Sequence, residues 1–133
     1  MALSKDRNTP TRHVTEYVLP VAAATTIYAG GMTCLNAAGY AVPGSVATTL
    51  KTIGVAAEQV VNAGGNGAAF VRVRRVAGRF KNSASTDAIA LTDIGATCYV
   101  VDDETVAKTN GTNTRSAAGI IRDVDAQGVW VEF

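Results

Sequence analysis

The sequence predicts an all-β fold, either a compact barrel or a jelly-roll-like sandwich. Three observations carry this: a β-branched composition, short alternating apolar runs cut by turn residues, and one phrase that occurs twice. Valine and isoleucine number 17 and 6 against 5 leucines, beside 16 threonines. Such side chains suit a pleated, half-buried surface and are mediocre in helices. Thirteen glycines in 133 residues imply many tight turns. About nine or ten short strands at close spacing favour a sandwich or barrel over βαβ units.

The repeated phrase is small-Gly-apolar-apolar, an acidic turn, then Gly and alternating apolar residues. It reads Ile53-Gly54-Val55-Ala56, Glu58, then Gly67 and Phe70-Val71-Arg72-Val73. It returns as Ala118-Gly119-Ile120-Ile121, Asp123 to Asp125, then Gly128-Val129-Trp130-Val131. Upstream, Gly31-Met32-Thr33-Cys34-Leu35 is echoed by Gly95-Ala96-Thr97-Cys98-Tyr99, which sets Cys34 and Cys98 at equivalent places. The expectation is a duplicated four-strand unit, about residues 31–73 and 95–133. It sits in a single β domain (13–133) behind a flexible N-terminal arm (1–12).

The arm is polar, with Lys5, Arg7 and Arg12 against Asp6, and carries Pro10. It reads either as a frayed terminus or as a basic extended arm that orders on a partner surface. It has no apolar stretch of the kind a secretion signal needs, so none is expected. His13 to Val21 alternates, with Tyr17 and Leu19 on one side and Val14, Glu16 and Val18 on the other. A strand ending at Pro20 follows, suited to an edge. Ala22 to Thr26 carries little signal. In the first unit, Met32–Leu35 is a strand, 36–39 a turn, Tyr40–Val42 a return, and Thr52–Ala57 a strand. Residues 45–51 read as loop or one helical turn. Residues 58–61 continue the strand or begin a Gly-rich turn at 62–67, and Phe70–Val76 is the clearest strand. Residues 78–91 join the units as a surface loop. The second unit gives strands at 97–101, 105–108, 117–123 and 129–133, with Asn110-Gly111 a strong turn signal between them.

Aromatics make up only 6% of the chain, so the core is built from small side chains. A fully buried Val or Leu contributes roughly 1.5–3 kcal/mol, and Ala much less. Oligomerisation is a plausible source of extra burial. Net charge is +1, which gives no global field toward nucleic acid or membrane. No apolar run is long enough to span a bilayer. The two cysteines are expected to be buried thiols that pack as small hydrophobes.

No catalytic or metal-binding set is evident. The one histidine, His13, stands in an alternating strand without a recognisable partner for triad chemistry. Two Cys and one His lack zinc spacing. Asp102-Asp103-Glu104 is a hairpin turn whose three consecutive side chains cannot all face one cation. No cofactor is expected. The notable charge feature is Arg72, Arg74, Arg75, Arg79 and Lys81, five of twelve basic residues within ten positions and without an acid. Alternation sets Arg72 and Arg74 opposite Val71 and Val73. Such a row can bind phosphates, dock on an acidic surface of another subunit, or stay solvated. No interleaved aromatic platform accompanies it, which disfavours single-stranded nucleic acid.

Taken together, the chain resembles the small capsid decoration, or cement, proteins of tailed bacteriophages. The pattern comprises the polar arm, Val18-Leu19-Pro20, the Gly-x-Thr-Cys strand openings, Ile53-Gly54-Val55-Ala56 with its echo Ala118-Gly119-Ile120-Ile121, and the last strand Val129-Trp130-Val131-Glu132-Phe133. The resemblance spans roughly residues 14–133. It implies a non-enzymatic virion protein on the outside of the head, assembled in a bacterial cytoplasm. Its partners would be the major capsid protein and itself, as trimer or dimer. Membrane and nucleic acid are not expected partners. Lys5, Arg7, Arg12, Arg72, Arg74, Arg75 and Arg79 are the candidate capsid or subunit contacts. The alternative is a phage tail, baseplate or carbohydrate-binding β module.

Overall fold

The computed structural model describes residues 2–133 and is all-β. Twelve strands are arranged as two five-stranded antiparallel sheets and one two-stranded pair. In chain order they are β1 (Glu16–Pro20), β2 (Thr25–Ile27), β3 (Met32–Leu35), β4 (Ala41–Pro43), β5 (Lys51–Ala56), β6 (Val60–Asn62), β7 (Phe70–Arg74), β8 (Ala77–Phe80), β9 (Thr97–Val100), β10 (Val106–Ala107), β11 (Ala117–Asp125) and β12 (Gly128–Glu132). The first sheet runs β1-β7-β5-β3-β4 and the second β8-β12-β11-β9-β10. These are the same order of the same strands, so the duplicated unit has five strands. The fifth is β1 or β8, which opens each copy.

The sequence reading missed three strands. Residues 78–80, the start of the expected linker loop, belong with Ala77 to β8 on the edge of the second sheet, paired with β12. Residues 58–62 do not prolong β5: β6 leaves that sheet and pairs with β2, inside the uninformative Ala/Thr stretch. Residues 45–50 are loop, without a helical turn. The linker between β8 and β9 contains two short 3-10 turns, Ser85–Asp87 and Leu91–Asp93.

Register shows how closely the copies match, and it corrects one expectation. Thr33 lies opposite Gly54 and Cys34 opposite Thr52; Cys98 lies opposite Gly119 and Tyr99 opposite Ala117. All four positions advance by 65, so Cys34 corresponds to Tyr99 and Cys98 to Thr33. The cysteines are not equivalent; the Thr-Cys echo is one residue out of register. Both strand pairs carry a β-bulge at the same step, which throws Ile53 and Ala118 into the two core clusters. A bulge adds local twist and bends its strand.

The glycine beside each bulge is required by a close approach. A Cβ on Gly119 would stand 2.5 Å from the Glu132 carbonyl oxygen and 2.8 Å from Val131 Cγ1. A Cβ on Gly54 would collide in the same way with the Arg74 carbonyl and press on Val73. Arg74 and Val73 occupy on β7 the places of Glu132 and Val131 on β12.

Neither sheet closes into a barrel. Each curls until the chain just past its first strand meets its far edge through one parallel bridge, Val21 to Ala41 and Lys81 to Thr105. The Ala22 N–H donates to Ala41 O, and in the second copy the Lys81 N–H donates to Glu104 O. The arrangement is sandwich-like. The β2–β6 pair covers one face of the first sheet, where Val21, Ile27, Ala41, Ala56, Val71 and Val73 are buried with Tyr17, Leu19, Ile53 and Val60. On the other face, Met32 and Cys34 join the second sheet's Phe80, Cys98, Val100, Ile121, Val129 and Val131. Strand β3 is therefore covered from both sides, and Met32, Thr33 and Cys34 are all buried. That is why its sequence does not alternate.

Polar groups fasten the layers. Asn62 is buried; its Nδ2 donates to the carbonyls of Val21, Ala22 and Gly65, and its Oδ1 accepts the Gly64 N–H. Between the two units, the Met32 N–H donates to Asp103 O (2.7 Å), the Thr52 hydroxyl to Ala117 O (2.8 Å), and the Ser116 hydroxyl to Ala47 O (2.6 Å).

Gly54→Ala and Gly119→Ala should each destabilise the chain by about 3 kcal/mol, since backbone must move to admit the methyl group. Gly39→Ala is the control. Its φ is +87° with nothing within 4 Å of an added Cβ, so it should cost about 1 kcal/mol for left-handed backbone alone. Urea denaturation of the three variants checks the order; equal losses would mean that the close approach is not the constraint.

Candidate functional site: the outer face of β1 and β7

Strand β7 alternates as its sequence demands. Val71 and Val73 are buried, while Phe70, Arg72 and Arg74 point out. Strand β1 pairs with it in the register Glu16–Arg74, Val18–Arg72 and Pro20–Phe70. Tyr17 and Leu19 pack inward, so Glu16, Val18 and Pro20 share the outer face with Phe70, Arg72 and Arg74. Two exposed apolar side chains stand on this face, Val18 at its centre (63%) and Phe70 at one end (57%).

The five clustered cations do not form one patch. Arg72 is held between two carboxylates, Glu58 at 3.6 Å and Glu16 at 4.0 Å. Arg74 shares that face and, among the described residues, enters no ion pair. Arg75 is turned to structural use: its Nε donates to Phe133 O (3.2 Å) and its Nη1 to Val14 O (3.5 Å), fastening the last residue and the base of the arm. Arg79 belongs to the second sheet. Its Nη1 donates to Gln127 Oε1 (2.7 Å), and its guanidinium lies 5.9 Å from the Trp130 ring centroid. Lys81 pairs with Glu104 at 2.7 Å. Lys5, Arg7 and Arg12 are exposed and lie before the first strand.

Parity along the strands carried a signal for Val18 and Phe70 that the reading did not use. Once Tyr17, Leu19, Val71 and Val73 are assigned inward, Val18 and Phe70 must point out. The two lie on diagonal positions of neighbouring strands with Pro20 between them, and a contiguous exposed apolar group of this kind is a candidate interaction surface.

The remaining polar chemistry is local. His13 is exposed and lies outside β1, three residues before it begins. Asp102, Asp103 and Glu104 form the β9–β10 turn, where Asp102 Oδ1 accepts the Glu104 N–H. Among the described residues, no three His, Cys, Asp or Glu side chains converge as a metal site would need. No helix among them is long and apolar enough to cross a membrane. Cys34 and Cys98 are free and buried. Burial raises both thiols, Cys98 to about 11.

Three carboxyls are held below their ordinary value by fixed donors. Asp87 accepts the Thr109 hydroxyl at 2.5 Å and Arg115 Nη1 at 3.2 Å, and the Thr109 bond is the larger cause. Asp93 is lowered first by the Ala90 N–H and then by Lys108. Asp125 is lowered first by the Gln127 N–H and then by the Trp130 indole. Neither the family models, nor the curated proteins, nor the solved structures with which the chain was compared match it.

Burial predicts that neither thiol of the folded chain reacts with a thiol reagent at pH 8, while both react in denaturant. Rapid labelling of the native protein would contradict that burial. A carboxyl lowered by folding stabilises the fold above its unfolded pKa, and the gain is lost as pH falls through its folded value. Asp87→Asn should therefore lose less stability between pH 7 and pH 3 than the parent chain, as read from urea midpoints at both pH values.

Proposed function

We propose that this chain is a structural virion protein that binds the outside of a tailed-phage head and strengthens contacts between major capsid subunits. Its place would be the capsid surface, reached by assembly in the bacterial cytoplasm. One observation supports the reading beyond the resemblance in sequence. Residues 2–15 run exposed and without regular structure into the edge strand β1, so a basic arm starts beside a face that exposes Val18, Phe70 and Arg74. An arm of this kind can reach a neighbouring subunit, at the cost of the entropy lost when it orders.

The physics asked of such a protein is modest. A protein that binds only the expanded shell stabilises it by mass action, about 2.7 kcal/mol per site at a hundredfold excess over Kd. Many weak copies suffice, and none needs catalytic chemistry. The basic arm residues Lys5, Arg7 and Arg12 would serve the shell. Arg72 and Arg74 would serve the shell or a second subunit.

The alternative, a tail, baseplate or carbohydrate-binding module, draws support from a shallow cleft. It is lined by Tyr28, Gly30, Gly31, Asp103 and Glu104. Tyr28 is 59% exposed there and could stack on a sugar ring beside carboxylates able to accept its hydroxyls.

Co-sedimentation with expanded heads that lack this component decides between the two. The head reading expects saturable binding at a simple ratio to the capsid subunits and a higher shell melting temperature. Removing residues 1–12 should weaken binding at least roughly tenfold, as should the double reversal Arg72→Glu with Arg74→Glu. Absence of binding at micromolar protein would sink the reading, and glycan screening with a Tyr28→Ala control would then test the other.

A further inference from the structure

The two copies of the unit supply an internal comparison of one surface. Val18 on β1 corresponds to Arg79 on β8, Arg72 on β7 to Trp130 on β12, and Phe70 to Gly128. In the second copy this face is satisfied within the chain. Arg79 lies over Trp130, the Trp130 indole donates to Asp125, Arg122 pairs with Glu132, and position 128 bears no side chain. In the first copy the same backbone positions leave Val18 and Phe70 more than half exposed and Arg74 without an ion pair among the described residues. The same strand order and register thus carry a closed polar face on one unit and an open, partly apolar one on the other.

The charges on the open face say what fits it. Two carboxylates, Glu16 and Glu58, stand beside two guanidinium groups, Arg72 and Arg74. A face with both signs in equal number attracts neither an acidic nor a basic partner in particular. It complements itself. A two-fold axis running along the strands between β1 and β7 would lay β7 of one copy on β1 of the other. The register of β1 on β7 then determines every contact. Phe70 meets Pro20, Arg72 lays its aliphatic stem on Val18, and Arg74 meets Glu16, each twice. A contact of this isologous kind pairs residue i with j and j with i.

We propose that the outer face of β1 and β7 is a homodimer interface in which Val18, Pro20 and Phe70 form the dry centre and Arg74 pairs with Glu16 of the second copy. The inference does not rest on the virion reading. The contact itself is made by β1 and β7, and Arg12, His13 and Val14 line a hollow with Glu16 and Val18 at its margin.

Sedimentation velocity of the full chain over a range of concentrations, without any head present, tests it. The parent chain should reach twice the chain mass. Phe70→Ser and Val18→Ser should each raise the dimer dissociation constant at least roughly tenfold. Leu91→Ser, which removes a 64% exposed side chain on the second unit, should leave it unchanged. Circular dichroism melting confirms that each variant is folded.

The decisive arm is a mixture. Alone, the Glu16→Arg chain carries only cations at the two paired positions and the Arg74→Glu chain only carboxylates, so neither should dimerise. Mixed one to one they should form a heterodimer, because each pair between chains is then of opposite sign. Rescue on mixing cannot come from charges within one chain. Three outcomes would each overturn the proposal: a parent chain that stays monomeric at high micromolar concentration, an assembly that Phe70→Ser leaves intact, or charge variants that fail to complement.

Discussion

The fold depends on one close approach made twice. At Gly54 and at Gly119 the bulged strand of each unit, β5 or β11, lies so near its neighbour, β7 or β12, that any side chain would strike a carbonyl oxygen. The bulge and the glycine act together. The bulge turns Ile53 or Ala118 into the core, and the bare backbone next to it lets the sheet coil tightly enough for the chain after the first strand to reach the opposite edge. A flat five-stranded sheet would need a large apolar partner on one face. The concavity of a coiled one is small enough to be filled by Val, Ala and a few larger groups from the sheet and the segments that cover it, which is why a chain with so few aromatics buries a core.

The two units differ wherever coiling does not constrain them. The first unit leaves its concave side to be covered by β2 and β6, held in place by Asn62 and its four hydrogen bonds. The second fills the same region with Phe80 and Ile89 from its own strand and linker. The units are identical at the bulge glycine and in Val71/Val129 and Val73/Val131, positions that face a carbonyl or the core. They differ on the outer faces, where Val18 and Phe70 answer to Arg79 and Gly128.

Much of the architecture was legible in the chain, and what was not has physical causes. Alternation set Val71 and Val73 opposite Arg72 and Arg74 on β7 and separated Tyr17 and Leu19 from Glu16 and Val18 on β1 without telling which side is buried, and the recurring Gly-apolar-apolar phrase located the repeat. Strand β8 was missed because Ala77-Gly78-Arg79-Phe80 has one inward side chain and a glycine, too little for a periodic signal. Strands β2 and β6 were missed because three-residue strands in Ala/Thr and Val/Asn sequence owe their existence to a tertiary partner rather than to propensity. The Thr-Cys echo misplaced the register by one residue. Cysteine is buried from either face of a sandwich layer, so finding it twice does not say which face it occupies.

The clustered arginines show how far one dimension can mislead about a surface. Five cations within ten residues read as one patch, yet a turn between β7 and β8 carries the chain from one sheet to the other in the middle of the run. Arg75, at that turn, spends its donors on the carbonyls of Val14 and Phe133. Its removal would loosen the base of the arm and the last strand together, so a loss of partner binding in an Arg75 variant would not by itself identify a contact. Arg79 is committed to Trp130 and Gln127. Of the five, Arg74 alone combines an outward position, no ion pair among the described residues and an exposed apolar neighbourhood. Charge at a partly apolar face does more for orientation and register than for raw affinity. A surface that uses Val18 and Phe70 for burial and Arg74 for register has both elements that a specific contact requires, whichever molecule lies on it.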